Sequence, residues 1–318
     1  MAIHSLPWHD LPPTACQDGA VSIGNFDGVH RGHAALLAEL QRRAQSVGGP
    51  PVVLTFEPHP LQILRPEQFM PVLTTLADRA DYLHAAGADE VIILQIDRDL
   101  LQLDAEEFFN QIIRRNLDAR AIVEGFNFGF GRNRGGTVET LGTFCRQHGI
   151  PLAVVPSLLV EGVPVSSSRV RNCLTRGAVR EAADLLDRPY RLRGIVGTGQ
   201  RRGRTIGFPT ANLEKLETVV PGDGVYAVRA SVAAKTFGGA ANIGPNPTFG
   251  EHDRKVEVHL IDFQGELYGQ PLAVDFLDRI RDTRPFSSVA ELVEQLKLDI
   301  EAARRITRTE LVNSKVME

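Results

Sequence analysis

Residues 24–33 read GNFDGVHRGH, and this stretch decides the fold of the first half of the chain. The apolar run Ala20–Ile23 before it predicts a buried strand, and Ala34–Leu40 after it is rich in residues that favour helices. His30 and His33 therefore stand where a strand passes into a helix. The three glycines allow tight turns and close approach of a ligand. Because a helix N-terminus offers free N–H groups and a partial positive charge, we predict a phosphate-binding site here.

Length and composition bound the class of protein. At 318 residues, with 23% charged and 43% hydrophobic residues, the chain has the composition of a soluble globular protein, and two domains are expected. The formal net charge of −4 argues against an extended nucleic-acid surface, which would normally be basic. We therefore expect small-molecule partners, no nucleic acid and no membrane, and we leave self-association open.

The cysteines and the N-terminus indicate a cellular compartment. Cys16, Cys145 and Cys173 are scattered without the spacing of a metal-binding motif, which is typical of inert thiols in a reducing cytoplasm. Residues 1–13 lack the basic start and apolar core of a signal peptide. No apolar run approaches the roughly 18 residues that a membrane span requires. The expected location is the cytoplasm.

Apolar strand candidates alternate with helical segments through the first half. We predict strands at Ala20–Ile23, Val52–Phe56, Val91–Ile96, Ala121–Glu124 and Leu152–Val155, and helices at Ala34–Arg43, Leu76–Ala86, Ala105–Asn116 and Val138–His148. This alternation predicts an α/β domain over residues 1–187, a Rossmann-like parallel sheet with helices on both faces. Ligands bind such sheets at the carboxyl ends of the strands, so residues that follow a strand are candidates for a site.

Aromatic and small residues follow the fourth predicted strand. The segment Glu124–Gly131 holds three glycines and three phenylalanines in eight residues. Phe126 and Phe128 could stack on the ring system of a ligand, or they could fill a bulge in the core. The residues alone leave both interpretations open.

Hydroxyl groups and an arginine follow the fifth predicted strand. Ser is a favoured N-cap, and Arg171 lies one turn beyond Ser167 and Ser168, so the three side chains share one side of a helix. These side chains either form a second phosphate-binding site or belong to the start of an ordinary surface helix.

The pattern changes near residues 186–190, where strands and turns become dominant. Runs at Leu192–Val196, Val225–Ser231, Val256–Asp262 and Leu272–Leu277 predict a small β-barrel over residues 188–318. A terminal helix follows, with a stripe of apolar residues at Val289, Leu292, Val293, Leu296 and Ile300. We expect this helix to pack on the barrel.

Two features of the second half bear on chemistry. The Gly-rich basic segment Gly197–Arg204 could wrap phosphates with its N–H groups or form a plain hairpin loop, and it lacks the GK[ST] of a Walker A loop. Glu257 and His259 alternate within a strand and so face the same side. Taken alone, Glu257 would be an ordinary surface acid.

These motifs, taken in order, resemble those of the bifunctional bacterial riboflavin kinase/FAD synthetase family. FDGVHRGH at 26–33 is similar to the HxGH signature of the nucleotidyltransferase superfamily, in the form typical of the family's adenylyltransferase half. Residues 125–131 resemble its GxxFxFG element, and residues 165–171 resemble its ISSTRIR signature, with Ser168 in place of Thr. GFPTANL at 207–213, PGDGVYA at 221–227 and NIGPNPTF at 242–249 resemble its kinase half.

The resemblance implies adenylyl transfer in the first domain. A phosphate oxygen of FMN attacks the α-phosphorus of ATP, and pyrophosphate departs. The implied catalytic groups are His30, His33 and Arg171. The groups implied to hold ATP are Gly24, Asp27, Gly32, Asn127, Ser167 and Ser168, and all of these are expected to converge on one crevice. Phe126 and Phe128 are the expected flavin contacts.

The resemblance implies riboflavin phosphorylation in the second domain. Glu257 is the implied base for the ribityl 5′-hydroxyl, and Thr210 and Asn212 are the implied ligands of the Mg²⁺ that accompanies ATP. The loop groups expected to contact ATP phosphates are Gly199, Gly203 and Arg204. Residues 279–286 resemble the family's RxEKxF flavin-side loop, which implies flavin contacts for Arg281 and Phe286, with Thr283 where Glu is usual.

Two other functions stay open. One is an adenylyltransferase of the same superfamily with a different acceptor, which leaves GFPTANL and NIGPNPTF unexplained. The other is a non-enzymatic module that binds flavin or nucleic acid on the barrel, which the acidic balance and the phosphate-directed residues disfavour.

Overall fold

The computed structural model describes residues 2–198, 203, 206–232, 235–246 and 251–316. The chain divides into two compact units, residues 1–70 with 74–166 and residues 71–73 with 167–318. The domain boundary expected between residues 187 and 188 remains a prediction. Within the described ranges, no helix is both long and apolar enough to cross a membrane.

The first unit is built on the predicted parallel sheet, which has six strands in the order β1-β4-β3-β2-β5-β8. Its strands, including four short ones outside this sheet, are β1 (Ala2–Pro7), β2 (Ala20–Ile23), β3 (Pro51–Glu57), β4 (Glu90–Gln95), β5 (Ala121–Gly125), β6 (Gly129–Phe130), β7 (Gly136–Thr137), β8 (Leu152–Val155), β9 (Leu159–Val160) and β10 (Val163–Pro164). Its helices are α1 (Arg31–Val47), α2 (Pro60–Leu64), α3 (Leu76–Ala85), α4 (Ala105–Phe108), which continues as a π-helix over Phe109–Asn116, and α5 (Val138–His148).

Side chains on the two faces of the sheet belong to two separate apolar clusters. Val21, Leu54 and Ile122 face a cluster that contains α5 and the π-helix. Val53 and Val123 face the other cluster, which contains α1 and α3. Successive strand residues alternate between the faces, so a strand buried on both sides is apolar at nearly every position. The sheet is therefore covered by helices on both faces, as predicted.

The strands β2 and β5 separate before they end. Their ladder pairs Ala20 with Ala121 and Val21 with Ile122, although both strands continue. In the sheet order, β2 lies between β3 and β5. Ligands of open α/β sheets bind where the strand order reverses, because the connections leave the sheet in opposite directions there. The carboxyl end of β2 is such a point.

The second unit is a closed antiparallel barrel of six strands in the order β11-β12-β15-β14-β13-β16. The unit begins with α6 (Ser167–Thr175) and α7 (Val179–Leu186), and its strands are β11 (Tyr190–Gly197), β12 (Ala211–Glu214), β13 (Gly224–Val232), β14 (Lys235–Asn246), β15 (Glu251–Leu260) and β16 (Pro271–Arg281). The barrel confirms the predicted architecture and contains two strands, β12 and β14, that were not predicted from the sequence.

The terminal helix α8 (Val289–Val316) packs on the barrel. Ala303 and the half-buried Ile300 join Ala227 of β13 in one apolar cluster. At the start of the predicted stripe, Val289 is 48% exposed, so the packed stripe begins after it.

All three cysteines are free and buried. Burial, together with the charge of Glu90, raises the pKa of the Cys16 thiol to about 12, and burial raises that of Cys145 to about 11. Because the thiolate is the reactive form, these groups are poor nucleophiles, which agrees with the expectation of inert thiols.

Candidate active sites

The loop between β2 and α1 has an unusual backbone. Phe26 and Val29 have φ of 46° and 39°, values that L-residues rarely adopt, and Gly28 has φ of 84°. Both non-glycine side chains are buried, at 3% and 4% exposure, and they join the cluster beneath α1. Their burial holds the loop in this conformation. Strained backbone of this kind is concentrated at ligand sites, which makes this loop a candidate on geometry alone.

The two histidines of the loop stack on one another. Their ring centroids lie 3.7 Å apart with planes inclined by 13°. His30 is the N-cap of α1, and its Nδ1 accepts a hydrogen bond of 3.3 Å from the N–H of His33. A Cβ on Gly32 would lie 3.1 Å from the His30 ring, so glycine leaves room for the ring. The structure therefore brings His30, Gly32 and His33 together at a helix N-terminus.

Asp27 lies in a buried polar network behind this loop. Its carboxylate accepts hydrogen bonds from the N–H and the hydroxyl of Thr74, at 3.2 and 3.3 Å, and lies 3.8 Å from Arg79. The Thr74 hydroxyl accepts from the N–H of Gly28 at 3.2 Å. The network ties the loop to the residues before α3. The expected contact of Asp27 with ATP remains a prediction beside this structural role.

Glu124 fills the gap where β2 and β5 separate. Its Oε1 accepts a hydrogen bond of 2.7 Å from the N–H of Ile23, the last residue before the loop. The side chain is 2% exposed, and burial raises its pKa well above the ordinary value. This buried carboxyl thus takes the place of the ladder partner that the diverging strands no longer supply. The role of this residue was not predicted, because a buried acid near the end of a strand has no sequence pattern of its own.

We expect Glu124→Gln to preserve the fold and Glu124→Leu to destabilise it by about 1–3 kcal/mol, because only Gln keeps an acceptor for Ile23. The folded chain holds the Glu124 proton more tightly than the unfolded chain. This carboxyl's contribution to the free energy of unfolding is therefore fully present below pH 4.5 and lost as pH rises through the higher folded pKa. Unfolding in urea, measured as pH is raised from 4.5, should show that Glu124→Gln does not have this decrease in the free energy of unfolding. Equal destabilisation by both variants would contradict the role of this side chain as the acceptor for the N–H of Ile23.

The segment after β5 separates the aromatic candidates. Phe126 is 57% exposed, whereas Phe128 is half-buried against the core and stacks on Phe130, with centroids 5.4 Å apart. Asn127 is exposed, and its backbone carbonyl accepts a hydrogen bond of 3.1 Å from Arg134. Phe128 thus takes part in core packing, and Phe126 is the ring with a free surface. Ligand contacts of all three remain predictions.

Ser167, Ser168 and Arg171 lie in the first turns of α6, in the second compact unit. The Nε of Arg171 donates a hydrogen bond of 3.1 Å to the carbonyl of Pro71 in the same unit. Their expected convergence with the histidines of the first unit remains a prediction.

Three polar residues form a row across neighbouring barrel strands. Asn212 of β12 pairs with Glu257 of β15, and Glu257 pairs with Asn242 of β14. Directly paired residues in an antiparallel ladder point to the same face with Cβ atoms about 5 Å apart. Their neighbours in sequence, such as Val256 and Val258, are buried in the barrel interior, while the three polar residues are half-buried.

The row brings together the predicted metal ligand Asn212 and the predicted base Glu257. It adds Asn242, which belongs to NIGPNPTF but was not among the predicted site residues. Alternation in β14 could have identified it, had the strand been recognised.

His259 holds the segment that carries Thr210. Its Nδ1 donates a hydrogen bond of 2.8 Å to the carbonyl of Pro209, since a carbonyl can only accept. Its ring packs against the Phe208 ring with centroids 6.0 Å apart and planes inclined by 67°. Gly203 lies against the same segment and accepts a hydrogen bond of 2.7 Å from the N–H of Phe208. A Cβ on Gly203 would lie 2.2 Å from the Phe208 carbonyl oxygen, so only glycine fits there.

Other predicted residues of the barrel lie elsewhere or outside the described ranges. Gly199 and Arg204 are outside the described residues, as are positions 247–249 of NIGPNPTF. Arg281 forms a two-pronged ion pair with the buried Asp299 of α8, at 2.7 Å, and lies over Phe286 at 5.7 Å from its centroid. Arg281 therefore anchors the terminal helix, and flavin contacts of Arg281 and Phe286 remain predictions.

Both halves match known enzyme families. Residues 13–169 match the FAD synthetase family, and residues 186–307 match the riboflavin kinase family. The parallel sheet with its histidine loop and the barrel with its polar row thus define two enzyme domains on one chain.

Relatives match over nearly the whole length. The bifunctional riboflavin kinase/FMN adenylyltransferase of Pseudomonas fluorescens is 37% identical, with 94% of this chain and 96% of that protein covered. The protein of the same name from Bacillus subtilis is 34% identical, with 95% and 97% covered. The chain belongs to the bifunctional riboflavin kinase/FMN adenylyltransferase family. A crystal structure described as a macrolide-efflux protein from Streptococcus pneumoniae shares the fold, at a TM-score of 0.85, 35% identity and coverage of 96% of this chain and 99% of that one.

Proposed function

We propose that this chain phosphorylates riboflavin to FMN in the barrel and adenylates FMN to FAD at the parallel sheet, with ATP as the donor in both reactions. The observation that carries the proposal is that each compact unit holds its own set of polar groups, a histidine stack at a helix N-terminus in one and an acid–amide row in the other. Two separate sites are what two different transfers from ATP require.

Adenylyl transfer is proposed at the start of α1. An oxygen of the FMN phosphate bonds to the α-phosphorus of ATP, the bond from that phosphorus to the bridging oxygen breaks, and pyrophosphate leaves. The N–H groups at the helix start, with donors from His30 and His33, stabilise negative charge on the phosphates. Because Nδ1 of His30 accepts from the backbone, a neutral His30 carries its proton on Nε2 and presents a donor there. Asn127 is proposed to hold the nucleotide here, and nucleotide contacts of Ser167, Ser168 and Arg171 remain predictions.

Phosphoryl transfer is proposed at the barrel row. Glu257 takes the proton of the ribityl 5′-hydroxyl while the hydroxyl oxygen bonds to the γ-phosphorus of ATP. The bond from that phosphorus to the bridging oxygen breaks, and ADP leaves. Thr210 and Asn212 fit Mg²⁺ because they offer oxygen donors, the kind of ligand that it prefers, and Asn212 lies beside Glu257 in the ladder. When bound with ATP, Mg²⁺ supplies positive charge that offsets the charge of the phosphates.

The reactions are tested by supplying riboflavin, ATP and Mg²⁺ and separating the flavins by chromatography. FMN should appear first and FAD should follow. FAD formed only from added FMN would refute the kinase, and an acceptor other than FMN would favour a different adenylyltransferase. Binding of flavin with neither product would favour a non-enzymatic module. A cytoplasmic location is also proposed, in keeping with the three free thiols.

His259 is expected to position the segment that carries Thr210, the proposed Mg²⁺ ligand. Two variants of similar shape distinguish the roles of its two ring nitrogens. Asn places an amide N–H near Nδ1 and keeps the bond to Pro209, whereas Gln places it near Nε2 and loses that bond. We expect His259→Gln to lower kcat/KM for Mg-ATP in the kinase reaction by about fivefold to tenfold, the effect of one hydrogen bond. His259→Asn should remain close to the wild type. Similar losses in both variants would show that the Pro209 bond is not what matters.

A further inference from the structure

Three side chains that can bind a metal ion meet at the edge of the parallel sheet, at His4, Cys16 and Glu90. Their ligand atoms all lie within 4.8 Å of one another. Nε2 of His4 is 2.7 Å from Oε2 of Glu90, and Sγ of Cys16 is 3.9 Å from the same oxygen. Each residue comes from a different part of the chain: β1, the short 3₁₀-helix Thr14–Cys16, and β4. Their spacing in sequence gave no sign of this meeting.

The register of the sheet explains why two of these side chains share a face. β1 and β4 are parallel, and Ala2 pairs with Glu90. His4 lies two residues beyond Ala2 and therefore points to the same face as Glu90. The 3₁₀-helix after β1 then brings Cys16 over this face. The arrangement is fixed by the backbone of three elements.

The site lies away from the proposed chemistry. Glu90 is the first residue of β4, whereas the histidine loop follows the last residue of β2 in the same parallel sheet. The cluster is therefore displaced towards the amino ends of the strands. A ligand could therefore bind the cluster whether or not a nucleotide is bound at the histidine loop.

Burial and ligand type favour a metal with affinity for sulfur and nitrogen. Cys16 is fully buried, and the His4 and Glu90 side chains are 21% and 14% exposed, so the cluster is largely shielded from solvent. Tetrahedral zinc, with bonds of about 2.0–2.3 Å to N, O and S, places such ligand atoms about 3.4–3.6 Å apart. The observed separations of 2.7 and 3.9 Å lie on either side of these values. Mg²⁺ and Ca²⁺ prefer oxygen ligands alone.

We propose that His4, Cys16 and Glu90 form a binding site for a zinc-like divalent cation, with water as the fourth ligand, that ties the N-terminal edge strand β1 to β4. Cys16 binds as the thiolate and releases its proton to solvent when the cation enters. The cation would stabilise the first unit, because it joins residues that are 12 and 74 positions apart in sequence. This cation site would be independent of the proposed reactions.

Cobalt(II) is the probe, because a Co²⁺–thiolate bond produces a charge-transfer absorbance that oxygen-bound Co²⁺ lacks. The full-length protein, stripped with a chelator and free of nucleotide, is titrated with Co²⁺ alone. We expect this absorbance to saturate at one equivalent, and Zn²⁺ to remove it by displacement. Cys16→Ser should abolish it, whereas the double variant Cys145→Ser/Cys173→Ser should retain it. His4→Gln and Glu90→Gln, at half-buried positions, should each weaken binding at least about tenfold.

Several outcomes would overturn the proposal. These are the absence of charge-transfer absorbance in the wild type, its persistence in Cys16→Ser, or unchanged affinity in both His4→Gln and Glu90→Gln. Thermal unfolding of the same samples shows that each variant is folded, and Zn²⁺ should raise the melting temperature of the wild type but not that of Cys16→Ser. FMN and FAD formation, measured in parallel, keeps a failure of this site distinct from a failure of the proposed function.

Discussion

Glu257→Gln is expected to lower the rate of FMN formation by about 100-fold to 10,000-fold, the usual contribution of a general base. Gln has nearly the same shape as Glu, so its place between Asn212 and Asn242 in the ladder should be preserved. Its amide cannot accept the proton of the ribityl hydroxyl. The measurement is kcat for riboflavin phosphorylation at saturating Mg-ATP. KM for ATP should change little, because the lost interaction belongs to the transition state.

The same chain supplies two controls for this variant. FAD formation from added FMN should continue in Glu257→Gln, because the proposed adenylyl site includes no residue of the barrel strands. Glu266→Gln removes an exposed acid of the same chemistry from the connection between β15 and β16 and should leave both reactions unchanged. Unchanged phosphorylation in Glu257→Gln would refute the role of this residue as the base.

His33→Ala should lower the rate of FAD formation by about 100-fold to 1,000-fold, the effect of removing one preorganised donor from developing charge. His33 is half-buried and stacks on His30. Its replacement by Ala removes a ring from the loop but keeps the hydrogen bond from the N–H of residue 33 to Nδ1 of His30. His30 also caps α1, and Ala there would weaken the helix start. Asn is a favoured N-cap, so His30→Asn keeps the cap and removes only the imidazole. We expect it to reduce FAD formation as well.

Riboflavin phosphorylation is the internal control for both histidine variants. It should stay at the wild-type rate, since the barrel carries none of the altered groups. Parallel loss of both activities would mean that the variants harm the whole protein, and full FAD formation in both would remove the histidines from the mechanism.

The sequence predicted those parts of the fold in which pattern and burial agree. The strands of the parallel sheet that are buried on both faces are nearly continuous apolar runs, and α5 was predicted at its observed bounds. β1 was missed because it is an edge strand, with alternating half-buried and exposed residues that include Ser5 and Pro7. A pattern that depends on burial is weak at an edge.

β14 was missed for a different reason, its glycines. Gly238 and Gly239 interrupt any strand pattern, yet both are required by close packing. A Cβ on Gly238 would lie 2.8 Å from Thr307 of α8, and one on Gly239 would lie 2.6 Å from the carbonyl oxygen of His259. These contacts are between distant parts of the chain, so local sequence cannot reveal them. For the same reason, the buried acceptor Glu124 and the role of Asn242 were found only in three dimensions.

The closed hydrogen-bond ladder of the barrel also fixes the face of β15 on which Glu257 lies. An insertion or deletion of one residue within β15 would exchange its two faces, sending Glu257 into the hydrocarbon interior and Val256 or Val258 to the outside. An unpaired carboxylate there would cost several kcal/mol, about as much as the whole margin by which a small domain stays folded. Variants with one residue inserted into or deleted from this strand should therefore fail to fold, and loss of catalysis would follow from that. Natural variation in length should be confined to the connections between strands.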